Sequence, residues 1–201
     1  MTIADAITAV SVAIAAFAFV WGVNAWRREF VGKRRIELAE SVLAQFYEAE
    51  EAIRDIRNPF SYVGEGKTRQ RAENESPEDA ALLDRAYIVI ERYKKHEKLF
   101  ADMRAMRYRV MASFGADAAE SFNEVWGAIS EIFGAAEMLG MHYWHSQSQF
   151  STKEDDLQEF RKQRHKFEAI FWLMGEKDDE ITPRVRHAVE KFETIARRVS
   201  G

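Results

Sequence analysis

The sequence predicts an all-α protein in which an N-terminal transmembrane helix continues into an antiparallel helical bundle. Three observations carry this. Residues 6–26 form an apolar run that no charge interrupts. Downstream, apolar residues recur at three- and four-residue spacings, and no alternating stretch bounded by turns reads as a strand. Only 10 Gly and 3 Pro punctuate 201 residues, which favours long helices over a many-turned sheet.

The run from Ala6 to Trp26 reads AITAVSVAIAAFAFVWGVNAW. As a helix it is roughly 31 Å long, which matches a hydrocarbon core of about 30 Å. Its polar members are Thr8, Ser11 and Asn24. Trp21 and Trp26 stand where an aromatic belt is expected. The residues before the run carry Asp5 and no Lys or Arg, whereas a secretory signal needs a basic leader and a shorter apolar core. The basic cluster follows instead, as Arg27, Arg28, Lys33, Arg34 and Arg35. By the positive-inside rule this end stays in the cytoplasm. The expectation is an uncleaved single-pass anchor, N-terminus outside and C-terminus inside. The same cluster suits anionic lipid headgroups.

Within the anchor, Ala4, Thr8, Ser11, Ala15, Ala18, Gly22 and Ala25 follow an alternating four-and-three spacing, and all are small. In lipid, small residues let helices approach closely. Ser11, Ala15, Ala18, Gly22 and Ala25 are the expected self-association stripe. Carried onward, the same register meets Glu29, Gly32, Ile36, Ala39, Leu43, Phe46, Glu50 and Ile53. One helix is therefore expected from about Thr2 to Arg57, with a single face that turns from small to large apolar residues at the membrane surface.

Asn58-Pro59 should stop this helix, because proline disfavours helix in the residue before it. Residues 59–77 are rich in Gly, Pro and polar side chains and read as a long polar loop, either functional or mobile. Ser76-Pro77-Glu78-Asp79 opens the second helix with an N-cap, a first-turn proline and acids. That helix should run from Pro77 to Phe114 and end at Gly115. A third is expected from Asp117 to His145, its unbroken apolar line making it central. A fourth should run from Lys153 to Met174, closed by Gly175. Thr182-Pro183 should cap and open the last. The layout is thus an anchor (1–27), a juxtamembrane helix (28–58), a polar loop (59–77) and a helical bundle (78–201).

Composition narrows the chemistry. The chain has no cysteine, which excludes disulfides, thiolate zinc sites and cysteine nucleophiles. A net charge of −4 lacks the basic excess of a nucleic-acid binder, so no nucleic-acid partner is expected. Residues 61–68 read SYVGEGKT and end like a phosphate-binding loop. However, Ser61 replaces the first glycine and no strand precedes it. His142 and His145 share a helix face at a spacing that can hold a metal. No third ligand is in sequence reach, and no Glu-x-x-His pair occurs. Glu48, Glu50 and Glu51 read as a solvated face. No Ser-His-Asp order or nucleophile elbow is present. Neither an enzyme activity nor a cofactor is expected. Lys67, Arg69 and Arg71 mark the loop as a candidate docking element for a partner or for headgroups.

The stretches AWRREFVGKRRIELAESVLAQFYEA (25–49) and LDRAYIVIERY (83–93) resemble a group of uncharacterised bacterial single-pass inner-membrane proteins with a helical cytoplasmic region. The likeness covers about half the chain. It implies an inner-membrane location and brings no catalytic residues. The expected function is a membrane-tethered scaffold or partner-binding module that self-associates through its anchor. The alternative is a membrane-associated effector or sensor, of stress or phage-defence type, that acts on the bilayer. The expected partners are membrane lipid and either a second copy or another protein.

Overall fold

From Ile3 to Ile56 the chain contains no proline, and its two glycines, Gly22 and Gly32, lie ten residues apart. These residues form one unbroken helix of 54 residues, α1. The computed structural model describes residues 3–145, 153–175 and 177–200. The expected start at Thr2 and the side chain of Ala4 lie outside what is described. Further along come α2 (Pro77–Lys95), α3 (Glu97–Phe114), α4 (Glu120–Met138), α5 (Glu154–Phe171) and α6 (Ile181–Ser200). Among the described residues there is no strand.

The two halves of α1 meet different surroundings. Residues 10–24 are exposed throughout. From Leu38 onward one face is buried: Leu38, Val42, Phe46, Ala49, Ile53 and Ile56 enter the core. That face packs most heavily on α6, which runs back alongside it, and also on α3 and α2. Phe46 stacks on Phe192 at 5.1 Å and meets Phe122 edge-on at 4.8 Å. Such aromatic pairs add about 0.5–1.5 kcal/mol each beyond their buried area. They join the N- and C-terminal helices through α4, the expected central helix.

Four local expectations are corrected. The helix expected over 77–114 is broken at His96 (φ −106°, ψ 8°), whose amide bonds back to Tyr93 and Lys94. His96 Nε2 lies 3.0 Å from Asp55, so the break sits against the end of α1 and turns α3 back along it. Gly115 ends α3 as expected, at φ 97°. The third helix begins with a 3-10 turn at Ala116–Ala119 and finishes as a π-turn, Leu139–Tyr143, that packs on α2. There Gly140 lies against Ala86 and Leu83, where a larger residue would collide. α5 stops at Phe171, short of Met174, because Trp172 is extended and the Leu173 amide pairs with the Arg57 carbonyl at 2.6 Å. The cap of α6 is Asp179 rather than Thr182. Its Oδ1 accepts from the amides of Ile181 (3.1 Å) and Thr182 (3.2 Å).

Two buried arginines fasten the far end of α1. Arg57 is fully buried and pairs with Asp179 at 2.8 Å. Its guanidinium also donates to the carbonyls of Ala169, Ile170 and Trp172 and to the Thr182 hydroxyl. It thereby satisfies the C-terminal carbonyls of α5 while holding the cap of α6. Arg92 on α2 forms a two-pronged pair with Glu65, both contacts at 2.8 Å. Its remaining donors reach the carbonyls of Asp55, Ile56, Asn58 and Phe60. Planar, multi-donor arginine suits both positions better than lysine would.

Candidate membrane anchor, basic collar and loop

The anchor half of α1 is long and apolar enough to cross a membrane, and none of that stretch is buried in the fold. Phe17 is 74 % exposed and Trp21 65 %. Among the stripe residues, Ser11, Ala15, Ala18 and Gly22 are exposed and Ala25 is half-buried. No other side chain lies within reach of a Cβ built at Gly22. The expectation of a single continuous face needs a correction. A regular α-helix turns about 100° per residue, so a 3.5-residue register drifts about 20° per heptad. Ala39, Phe46 and Ile53 are buried as that register requires, but Ile36, Leu43 and Glu50 sit at its edge, half-buried. The core face is centred nearer Val42 and Ala49. Projected down a regular helix, the stripe from Ser11 to Ala25 lies about 150° from that centre. The small residues therefore look away from the side on which the bundle hangs.

Below the apolar run, Trp26 and Phe30 stack at 5.6 Å, and the Arg34 guanidinium sits 4.6 Å from the Phe30 ring centre. Arg35 lies over Phe114 at 5.3 Å, where α3 returns to α1. Arg27, Arg28, Lys33, Arg34 and Arg35 are all exposed. At helical spacing they point to all sides of α1, forming a collar rather than a one-sided patch. Taking Trp26 as the surface, Lys33 to Arg35 stand about 10–14 Å further along the axis. That is beyond a Debye length of about 8 Å. Arg27 and Arg28 would then contribute about 1 kcal/mol each toward anionic lipid, and the other three less.

The polar loop is fastened to α2. The Gly66 amide and the Thr68 hydroxyl both donate to Glu91. Arg69 pairs with Glu75 and Asp84, and Arg71 also pairs with Asp84. Of the candidate docking residues, Arg69 and Arg71 thus have carboxylates within the chain, while Lys67 is exposed. Hydrogen bonds from Arg92 hold the Glu65 carboxyl below its ordinary range. Burial pushes Asp84 up, but Arg71 and Arg69 outweigh it and hold it low. Asp179 behaves alike, with burial opposed by Thr182 and Arg57 and the net shift downward. At the corner that ends like a phosphate-binding loop, the Glu91 carboxylate already takes the Gly66 amide and the Thr68 hydroxyl, so an anion would meet negative charge there.

The histidine pair separates. His145 lies 3.8 Å from Asp79, while His142 points to solvent. Among the described residues no group of three or more His, Asp or Glu is placed to hold a metal. Glu50 makes ion pairs with Arg54 and Arg186, whereas Glu48 and Glu51 are exposed.

Sequence reasoning missed two features. One is the pair of buried arginines, Arg57 and Arg92. The other is the loop tip, where Phe60 (82 %), Tyr62 (84 %) and Val63 (104 %) are almost wholly exposed. An apolar triplet inside a polar loop was its available signal. No family model, curated protein or solved structure matches the chain.

Proposed function

We propose that the chain is a single-pass membrane scaffold. α1 crosses the bilayer with its N-terminus outside, the bundle stands in the bacterial cytoplasm, and copies associate through the anchor stripe. One observation carries this reading. A single helix passes without a break from an apolar half that the fold leaves uncovered to a half that forms the bundle core. Large side chains such as Phe17, Phe19 and Trp21 on all sides of a helix would each cost about 1.5–3 kcal/mol in water relative to burial. Lipid removes that cost, and the collar supplies the orientation signal.

The stripe supports self-association geometrically. Because it faces away from the bundle, two anchors can meet through Ser11, Ala15, Ala18 and Gly22 while their bundles hang on the outer flanks. Alkaline carbonate extraction together with a C-terminal protease-cleavable tag tests the tether. The expected result is a chain retained in the membrane pellet, with the tag cut only after cells are opened. Carbonate release, or cleavage on intact cells, would overturn it.

A further inference from the structure

We propose that copies of this chain dock head to tail through the loop tip at Phe60, Tyr62 and Val63, which enters the groove between α2 and α4 of a neighbouring copy. The inference rests on the membrane-scaffold reading above and names a second contact surface within it.

The tip is an exposed apolar surface on a fixed support. Its backbone is held on both sides: the Phe60 carbonyl accepts from Arg92, and Glu65 pairs with the same guanidinium. Gly66 is pinned by Glu91. Presenting the three side chains therefore requires no ordering of the loop, which removes much of the usual entropic cost of a loop contact.

The receiving surface is a groove of about 570 Å³. It is lined mainly by Leu83, Tyr87, Ile90, Phe133, Gly134 and Met141. Most of these are half-buried and Met141 is exposed, so apolar surface faces outward. A Cβ added at Gly134 would meet nothing within 4 Å, which leaves room in the α4 wall for an incoming ring.

Three relations point to a second copy as the occupant. Tip and groove lie at one level of the bundle, because Ile90 of the groove is two residues from Arg92, which holds the tip. They open on neighbouring flanks of α2: the pocket on the loop side is lined by Ala81, Asp84 and Ile88, and the groove by Leu83, Tyr87 and Ile90, with Arg69 of the loop at its edge. Copies tethered in one membrane would thus present the tip and the Ile90 end of the groove at similar depth. Charge agrees as well: Arg69 at the groove edge is already paired with Glu75 and Asp84, and exposed Glu137 on the rim can meet exposed Lys67 beside the tip. The contact is heterologous, so it generates rings or open rows rather than closed pairs. Two aromatic rings and a valine bury about 500 Å² on one side, below the roughly 800 Å² per partner of a stable complex. The contact would form only where the membrane confines the copies and so raises their effective concentration.

The absence of native cysteine makes the test clean. Full-length chains carrying Val63→Cys or Met141→Cys are co-expressed, and isolated membranes are treated with a bis-maleimide. The expected product is a mixed Val63→Cys/Met141→Cys dimer. It should be lost when the Met141→Cys copy also carries Gly134→Leu, whose Cβ meets nothing within 4 Å, whose side chain extends from the groove wall, and which favours the helix. Membrane-retained chains that give no mixed dimer would overturn the inference and leave the tether standing. A dimer formed only between two Val63→Cys copies would overturn it, as would an adduct with a different polypeptide. A chain recovered in the soluble fraction would overturn the tether and this contact together.

Discussion

Arg57→Met is the sharpest probe of how the bundle is closed. Arg57 is fully buried and makes five contacts: to Asp179, the Thr182 hydroxyl and three carbonyls at the end of α5. Methionine fills similar space without donors. The substitution leaves Asp179 charged and buried, supported by its two cap amides and the Thr182 hydroxyl, and strips the Ala169 and Ile170 carbonyls of the guanidinium, while the Trp172 carbonyl keeps the Met174 amide at 2.9 Å. Breaking a buried ion pair from one side costs about 3–5 kcal/mol. Each carbonyl left dry adds about 1–3 kcal/mol, reduced where water can enter beside half-buried Ile170. With the two carbonyls at the low end, the expected loss is therefore about 5–7 kcal/mol. At a urea dependence of about 2 kcal/mol per molar, the unfolding midpoint falls by about 3 M. Circular dichroism of the full chain in detergent reads it directly. Adding Asp179→Asn to the same chain removes the stranded charge but keeps a cap acceptor, and should recover part of the loss. A midpoint shift below about 0.5 M, or a double variant as weak as the sum of the singles, would refute the account of Arg57 as a clamp.

Gly66→Ala should destabilise the loop by about 2 kcal/mol or more, since a Cβ there would run into the Asp84 carbonyl and φ is 85°; faster hydrogen exchange at Gly66 and Thr68 measures it. Glu65, Asp84 and Asp179 hold their protons less tightly when folded than when unfolded. Stability should therefore be level above about pH 5 and fall as the pH drops through their depressed range, below about 4. A chain that unfolds more readily at pH 7 than at pH 4 would contradict this. Changing both Ala18 and Gly22 to Leu should abolish anchor association in a membrane two-hybrid assay, and undiminished signal would remove the stripe as an interface. Overexpression should leave the membrane potential unchanged, as a potential-sensitive dye would report, because a scaffold opens no path for ions.

The pattern of apolar residues located most of the architecture. α1 ends at Ile56, just before Asn58-Pro59, and α2 begins at Pro77 behind Ser76, for reasons written in adjacent residues, so both boundaries were legible. The break at His96 was not. Tyr93 and Phe100 keep the helical spacing across it, and neither glycine nor proline marks the spot; the turn arises because α3 must return along α1. The start of α6 misled for a related reason. Thr182-Pro183 has the form of a cap, but Asp179 carries a charge that Arg57 stabilises, and it takes the amides instead. The clamps themselves were invisible. Arg57 and Arg92 look like any solvated arginine until carbonyls distant in sequence are brought around them. At the loop, residue type flagged Lys67, Arg69 and Arg71, but only the fold shows that Asp84 and Glu75 already occupy two of the three.

The pairing of the first helix with the last has a consequence for biosynthesis. Tyr47 donates to Glu193 across a separation of 146 residues, and Phe46 rests on Phe192. At about 5–20 residues per second, a ribosome needs roughly 10–30 s to deliver the partner after Tyr47 has been made. Throughout that interval Val42, Phe46 and Ile53 lack the cover that α6 supplies. Nascent chains are thus open to chaperones and proteases until α6 has been made, and a product truncated before α6 would be marked for destruction by its own uncovered core.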